Sequence, residues 1–159
     1  MDNNLYNECI ELLNKRGVLL DDIKELVYDL QRPYIDNIDE LDIDSYIVKT
    51  LEKREVQNAI ITGINLDIAA ENNQLLSDSL TKIMMNDNGL YGVDEVLAYG
   101  ICNLYGSIAL TNFGYLDKTK PKIIGKLNAH QEGKCNVFLD DIVAAIIASV
   151  ASKLAHNNI

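Results

Sequence analysis

The sequence predicts an all-α protein: a compact bundle of about six helices with one central apolar helix wrapped by the others. Three observations carry that expectation. Apolar residues recur at intervals of three and four through most of the chain, and the strict alternation of half-buried strands is nearly absent. Residues 142–152 hold no charge and are apolar on every side apart from two serines, the pattern of a helix surrounded by other helices. The length of 159 residues, with 48% hydrophobic and 24% charged side chains, suits one domain, residues 1–159, that buries a core without metal or disulfide staples.

The first helix is marked by Leu5, Cys9, Leu12 and Leu13, with Glu8 and Glu11 on the other face. Asp22 followed by Glu25 reads as a capping box opening a second helix, whose stripe is Ile23, Leu26, Val27 and Leu30. Pro33 restricts the residue before it, so this helix ends by Arg32. Ile43, Ile47 and Leu51 predict a third helix. Val56, Ala59, Ile60, Gly63 and Ile64 predict a fourth, divided from the third by little more than a kink. Leu80, Ile83 and Met84 predict a short fifth, closed by the turn signal Asn86-Asp87-Asn88-Gly89. Two Ala/Gly-rich helices follow, residues 93–111 and 137–156, joined by a loop of about 25 residues. Between Glu95 and Asp117 lie 21 uncharged residues, a length that can span a bilayer. Gly100, Asn103, Gly106, Ser107, Thr111, Asn112 and Gly114 interrupt the run, so a buried helix of a soluble bundle is expected there instead.

Charge narrows the function classes. Twenty-four acids against 14 bases give a net charge of −10, which opposes binding to nucleic acid or anionic membrane by bulk attraction. The loop 112–134 runs against this trend. It carries Lys118, Lys120, Lys122, Lys126 and Lys134 against Asp117 and Glu132, and is the strongest anion-binding candidate in the chain. The expected partner is a phosphorylated small molecule or a lipid head group, not nucleic acid. Contact with a membrane surface through this loop stays open, as does self-association. Cys9, Cys102 and Cys135 are odd in number and form no CxxC, a pattern that fits reduced core thiols in a cytosolic protein. The polar N-terminus does not read as a secretory signal. A cytoplasmic location is therefore expected, with the inner face of the membrane as the place of any lipid contact.

Two carboxylate pairs stand out by placement. Asp94-Glu95 opens the first Ala/Gly-rich helix and Asp140-Asp141 opens the second. Acids in a first turn also complement the helix macrodipole, and either pair alone is explained that way. Glu95, Tyr99, Asn103 and Ser107 step by four along an apolar helix, while Asp141, Ser149, Ser152 and His156 trace a similar seam on the last. Such seams face solvent or line a hydrated cleft. If the two helices are neighbours, four acids gather near one end and can hold a hard cation. Carboxylates without a thiolate or imidazole cluster favour Mg²⁺, with Mn²⁺ as substitute, over Zn²⁺. The segment Asn112-Phe113-Gly114-Tyr115-Leu116-Asp117-Lys118-Thr119-Lys120-Pro121 supplies the complement: Lys118 and Lys120 as point charges for phosphate, and Asp117 as ligand, nucleophile or base. A surface loop of solvated lysines is the plainer account of the same segment. The acid run between Asp36 and Asp44 lacks the glycine and alternation of an EF-hand. His130 reads as a loop residue and His156 as a helix-end cation. No GxSxG, Walker A or GxGxxG sequence is present.

Asp94-Glu95, Leu116-Asp117 with Lys120-Pro121, and Leu139-Asp140-Asp141 resemble, in order and context, three motifs of the phosphatidylglycerophosphatase A family. The resemblance covers roughly residues 86–156, and GLYGVDE, YGSIALTNFGYLDKTKPKII and FLDDIVAAIIAS look like its short soluble branch, often called YutG-like. It implies an all-α fold with a central helix wrapped by others. It also implies a Mg²⁺-dependent phosphatase that converts phosphatidylglycerophosphate to phosphatidylglycerol. By motif match the functional acids are Asp94, Glu95, Asp117, Asp140 and Asp141, with Lys120 and Pro121 beside them. The chain departs from the membrane enzymes of the family at Gly114, where they carry an arginine. It also lacks their Gly/Pro-rich N-terminal motif and their hydrophobic spans. A metal-dependent phosphomonoester hydrolase is the favoured expectation: Asp94, Glu95, Asp140 and Asp141 as metal ligands, Asp117, Lys118 and Lys120 as catalytic groups. Hydrolysis of a soluble phosphate ester, or a non-catalytic module that binds anionic head groups or a protein, are the alternatives.

Overall fold

A computed structural model describes residues 3–158, and every regular element among them is helical. In chain order these are α1 Asn3–Lys15, α2 Leu20–Gln31, α3 Ile43–Leu51, α4 Arg54–Glu71, α5 Asp78–Met85, α6 Val93–Cys102, α7 Ser107–Thr119, α8 Lys122–Asn128 and α9 Val137–Asn158. A short 3-10 turn, Ile38–Glu40, precedes α3. The all-α class holds, but the helix count of about six does not: the described residues form nine.

The central helix is α9. From Val137 to Ala155 every residue except Lys153 is buried, because α2, α3, α4, α6, α7 and α8 all pack against it. α1 and α5 pack on α4 and form an outer layer. Alanines at 144, 145, 148 and 151 keep the surface of α9 low enough for six neighbours. The closest approach is at Gly63 of α4, where a Cβ would lie 2.2 Å from Ile142 Cδ1 and 3.1 Å from Phe138 Cβ. All three cysteines are free and buried, as expected of core thiols.

Two corrections account for most of the extra helices. The expected helix over residues 93–111 breaks after Cys102: a turn over 103–105 follows, and Gly106, at φ +95°, caps the next helix. The expected loop 112–134 is mostly helical, forming the second half of α7 and all of α8. Its lysines alternate with a stripe that the core claims: Phe113, Leu116, Ile123, Ile124 and Leu127 are all buried. The uncharged run 96–116 is not a buried helix either. It is two helices and the turn between them, and Val96, Tyr99, Leu104, Ile108, Leu110 and Tyr115 stay exposed. Among the described residues no helix is long and apolar enough to cross a membrane.

Smaller expectations fall in the same way. Asp22 does not open α2 as its N-cap. Leu19 is the N-cap, and Asp22, three residues in, accepts the Leu19 N–H at 2.8 Å. The polar seams divide. Tyr99 and Asn103 face solvent and Ser149 is buried within the bundle, while Ser107, Ser152 and His156 line one cleft between the helices. The acid run 36–44 serves local structure, with Asp42 capping α3 through the Ser45 N–H at 3.1 Å.

Candidate active site

Three helix ends meet beside the start of α9. Gly92, in the left-handed region at φ +75°, turns the chain into α6 and places Asp94 and Glu95 in its first turn. α7 delivers Asp117 in its last turn and closes on Lys120, itself left-handed at φ +47°. α9 delivers Asp140 at the end of its first turn and Asp141 directly after it. A left-handed lysine costs about 1–2 kcal/mol of backbone strain, and such strain persists where the surroundings fix it. Here the fixing is electrostatic. The Lys120 ammonium lies 2.6 Å from Asp117 Oδ1, 2.9 Å from Asp140 Oδ2 and 3.7 Å from Asp141 Oδ1. Gly125 secures the turn from below, since a Cβ there would stand 2.5 Å from the Lys120 carbonyl oxygen.

The cluster holds more negative charge than one ammonium can neutralise. Burial, followed by the charges of Asp140 and Asp94, lifts the Asp141 carboxyl well above the ordinary range. Burial lifts Asp140 as well, offset in part by Lys120 and reinforced by Asp87. Glu95 is raised by burial and then by Asp94 and Asp117. Burial works to lower Lys120, but the charge of Asp140 and hydrogen bonds to Asp117 and Asp140 carry it above the usual lysine value.

The structure thus brings Asp94, Glu95, Asp117, Asp140, Asp141 and Lys120 into one electrostatic neighbourhood. Lys118 is not part of it: the side chain is exposed on α7 and forms no ion pair with a described residue. Among the described residues no group of three or more Asp, Glu, His or Cys side chains is arranged to hold a metal ion. The Lys120 ammonium stands between the acids at the place a cation would take. An oxygen-only set with excess negative charge fits a hard divalent ion.

Sequence reading missed the groups that hold this end of α9. Asp67 of α4 is fully buried and accepts the N–H groups of Phe138 at 3.1 Å and Leu139 at 3.0 Å. It caps the first turn of α9 from a different helix. Burial raises its carboxyl to about 7, against the pull of those two N–H groups and of Arg16. The Cys135 thiol also donates to Asp67 at 3.6 Å, and burial pushes that thiol up to about 12. Next to it Arg16, in the turn just after α1, pairs with Glu71 of α4 through both of its terminal nitrogens. Arg16 also donates to the Cys135 carbonyl and to Asn136 Oδ1, each at 2.7 Å. The signal for the burial of Asp67 was present, since it follows Ile60 and Ile64 on the apolar stripe of α4. Beside Asp140 opens a cleft of about 380 Å³ whose rim carries Asn86, Asp87, Asn128, Gln131 and Lys134.

Comparison with known proteins bears on what this cluster does. Residues 35–156 match the family described as Phosphatidylglycerophosphatase A, PgpA. The chain belongs to that family. It is 51% identical over 146 residues to YutG of Bacillus subtilis, described as uncharacterized, covering 91% of this chain and 86% of that one. Its fold matches a protein of unknown function from Bacillus stearothermophilus with a TM-score of 0.91 and 48% identity, covering 100% and 98% of the two chains. The low temperature requirement C protein of Listeria monocytogenes gives a TM-score of 0.89 at 49% identity, covering 97% and 96%. The three helix ends that meet here all lie within the matched residues.

Proposed function

We propose that this chain is a Mg²⁺-dependent phosphomonoester hydrolase that removes the terminal phosphate of phosphatidylglycerophosphate. The observation that carries the reading is the convergence of Asp117 and Lys120 from α7 with Asp140 and Asp141 from α9, beside the acids that open α6. Membership of the family supports the phosphatase class. Asp94, Glu95, Asp140 and Asp141 are the residues that would hold the metal. When bound, Mg²⁺ supplies positive charge and polarises the phosphoryl oxygens.

The protein's own groups do the rest. Lys120 offsets the charge of the phosphoryl group as a point cation. Asp117, about one third exposed beside Lys120, is placed to orient or deprotonate the attacking water, or to attack directly. Asp67 and the Arg16–Glu71 pair hold the start of α9, and with it the backbone that carries Asp140 and Asp141. Phosphoryl transfer depends mainly on such positioning and charge neutralisation.

A second reading, hydrolysis of a soluble phosphate ester, is favoured by the polar rim of the 380 Å³ cleft beside Asp140. Phosphate release from phosphatidylglycerophosphate, glycerol phosphates and nucleotides, measured with Mg²⁺ and then with EDTA, separates the readings. Turnover confined to soluble esters removes the lipid assignment. No turnover on any of them removes the enzyme and leaves a binding module.

A further inference from the structure

Two of the five lysines expected to bind anions are already paired. Lys120 is held by the catalytic acids, and Lys122 by Glu25 at 2.8 Å and Asp29 at 2.6 Å. A different basic cluster stands at the other end of α9. Two adjoining cavities there, of about 410 and 150 Å³, share Lys53, Tyr105 and Lys153. Lys49 borders the smaller cavity, and the first turn of α7 borders the larger.

The walls are fixed by buried polar groups. Thr50 and Ser152 are 2% and 3% exposed. Thr50 Oγ1 accepts the Tyr105 hydroxyl at 3.3 Å and donates to the Tyr46 carbonyl at 3.0 Å. Ser152 Oγ donates to the Tyr105 carbonyl at 3.4 Å. Lys53 lies over the Tyr105 ring, 4.2 Å from its centroid. None of Lys49, Lys53 and Lys153 forms an ion pair with a carboxylate of the described residues, whereas Arg16, Lys24, Lys120 and Lys122 all do. In a chain with 24 acids and 14 bases, three converging ammonium groups without a carboxylate create a local positive field. Hydrogen bonds from Asn157 and Asn158, and after them the charges of Lys49 and Lys153, hold the Tyr46 hydroxyl below the usual tyrosine value against the effect of burial.

We propose that this end of the bundle binds a phosphate-bearing anion across Lys49, Lys53 and Lys153, at a site separate from the carboxylate cluster. Asp141 and Lys153 are twelve residues apart on one helix, about 18 Å along its axis. Lysines act as point charges toward phosphate, and cavities of this volume admit a compact anion. A long nucleic acid would meet the acidic remainder of the surface. A free phosphate compound and the head group of a phospholipid present the same chemistry. Leu104 and Ile108, exposed at the edge of the larger cavity, give the second source an apolar foothold.

The test uses the full ¹⁵N-labelled chain in metal-free buffer, titrated with sodium pyrophosphate. Saturable shifts are expected at the amides of Lys53, Tyr105, Ser107 and Lys153. The triple variant Lys49→Gln, Lys53→Gln, Lys153→Gln changes only exposed side chains. It should keep the wild-type melting temperature and bind pyrophosphate about tenfold more weakly or worse. Flotation with phosphatidylcholine vesicles, with and without phosphatidic acid, then identifies the source. Phosphatidic acid-dependent binding that the triple variant loses points to lipid, and pyrophosphate binding without flotation points to a free compound. Absence of saturable shifts at these amides, or unchanged pyrophosphate affinity in the triple variant, overturns the proposal. Phosphatase activity does not enter any of these readouts, so the catalytic assignment stands or falls separately.

Discussion

Replacing Lys120 with Met removes the ammonium that sits among Asp117, Asp140 and Asp141 while keeping an unbranched side chain of nearly the same length. The backbone strain at φ +47° is common to both residues and cancels. What remains is electrostatic. Lys120 pairs with Asp117 (side chain 30% exposed), Asp140 (8%) and Asp141 (4%). Removing one side of a buried ion pair costs about 3–5 kcal/mol. The quarter exposure of Lys120 and the partial exposure of Asp117 admit solvent screening, which lowers the expected cost to about 2–3 kcal/mol. For a chain of this size that is roughly 5–10 °C in melting temperature. A divalent ion should replace the missing charge. In calorimetry with EDTA the variant should melt well below wild type, and Mg²⁺ or Mn²⁺ should raise the variant more than the parent. A variant that melts like wild type in EDTA, or one whose deficit the metals leave unchanged, would refute the reasoning.

Other perturbations test separate parts of the account. Asp67 has a raised carboxyl, near 7 in the fold against 3.8 ordinarily, so the folded state holds the proton more tightly than the unfolded state does. Its contribution to stability is full below about pH 4 and is lost as pH rises to about 7. Asp67→Asn should flatten the stability profile over that window in urea titrations, and an unchanged slope would count against the assignment. Asp141→Asn mimics the protonated form that burial and Asp140 already favour. It should keep or raise the melting temperature yet abolish Mg²⁺-dependent turnover, whereas retained turnover would make the acid structural. Gly63→Ala places a Cβ 2.2 Å from Ile142 Cδ1 and should destabilise by about 1–2 kcal/mol from overpacking, despite the better helix propensity of alanine. A gain in stability would show that α4 and α9 are not in close contact at this point.

What the sequence disclosed follows from where its signals were local. The helix around residues 142–152 was legible because only a surrounded helix carries no polar face, and α9 is surrounded. The acids of α6 and α9 were legible because both pairs sit just inside helix starts. Residues 112–134 were misread because lysines at frequent intervals concealed the stripe Phe113, Leu116, Ile123, Ile124, Leu127. Which lysines stay free was not readable at all. Pairing of Lys122 with Glu25 and Asp29 spans more than ninety residues, and no local pattern encodes such a contact. The burial of Asp67 was readable from its place on the α4 stripe, but its role was not, since its partners Phe138 and Leu139 lie 71 and 72 residues away.

The most direct measurement of the catalytic account is a crystal soaked in Mn²⁺, with anomalous scattering used to place the ion. A peak among Asp94, Glu95, Asp117, Asp140 and Asp141, with Lys120 Nζ moved away from Asp140, is the predicted result. A peak elsewhere, or none in crystals of protein that hydrolyses phosphomonoesters under the same conditions, would contradict it.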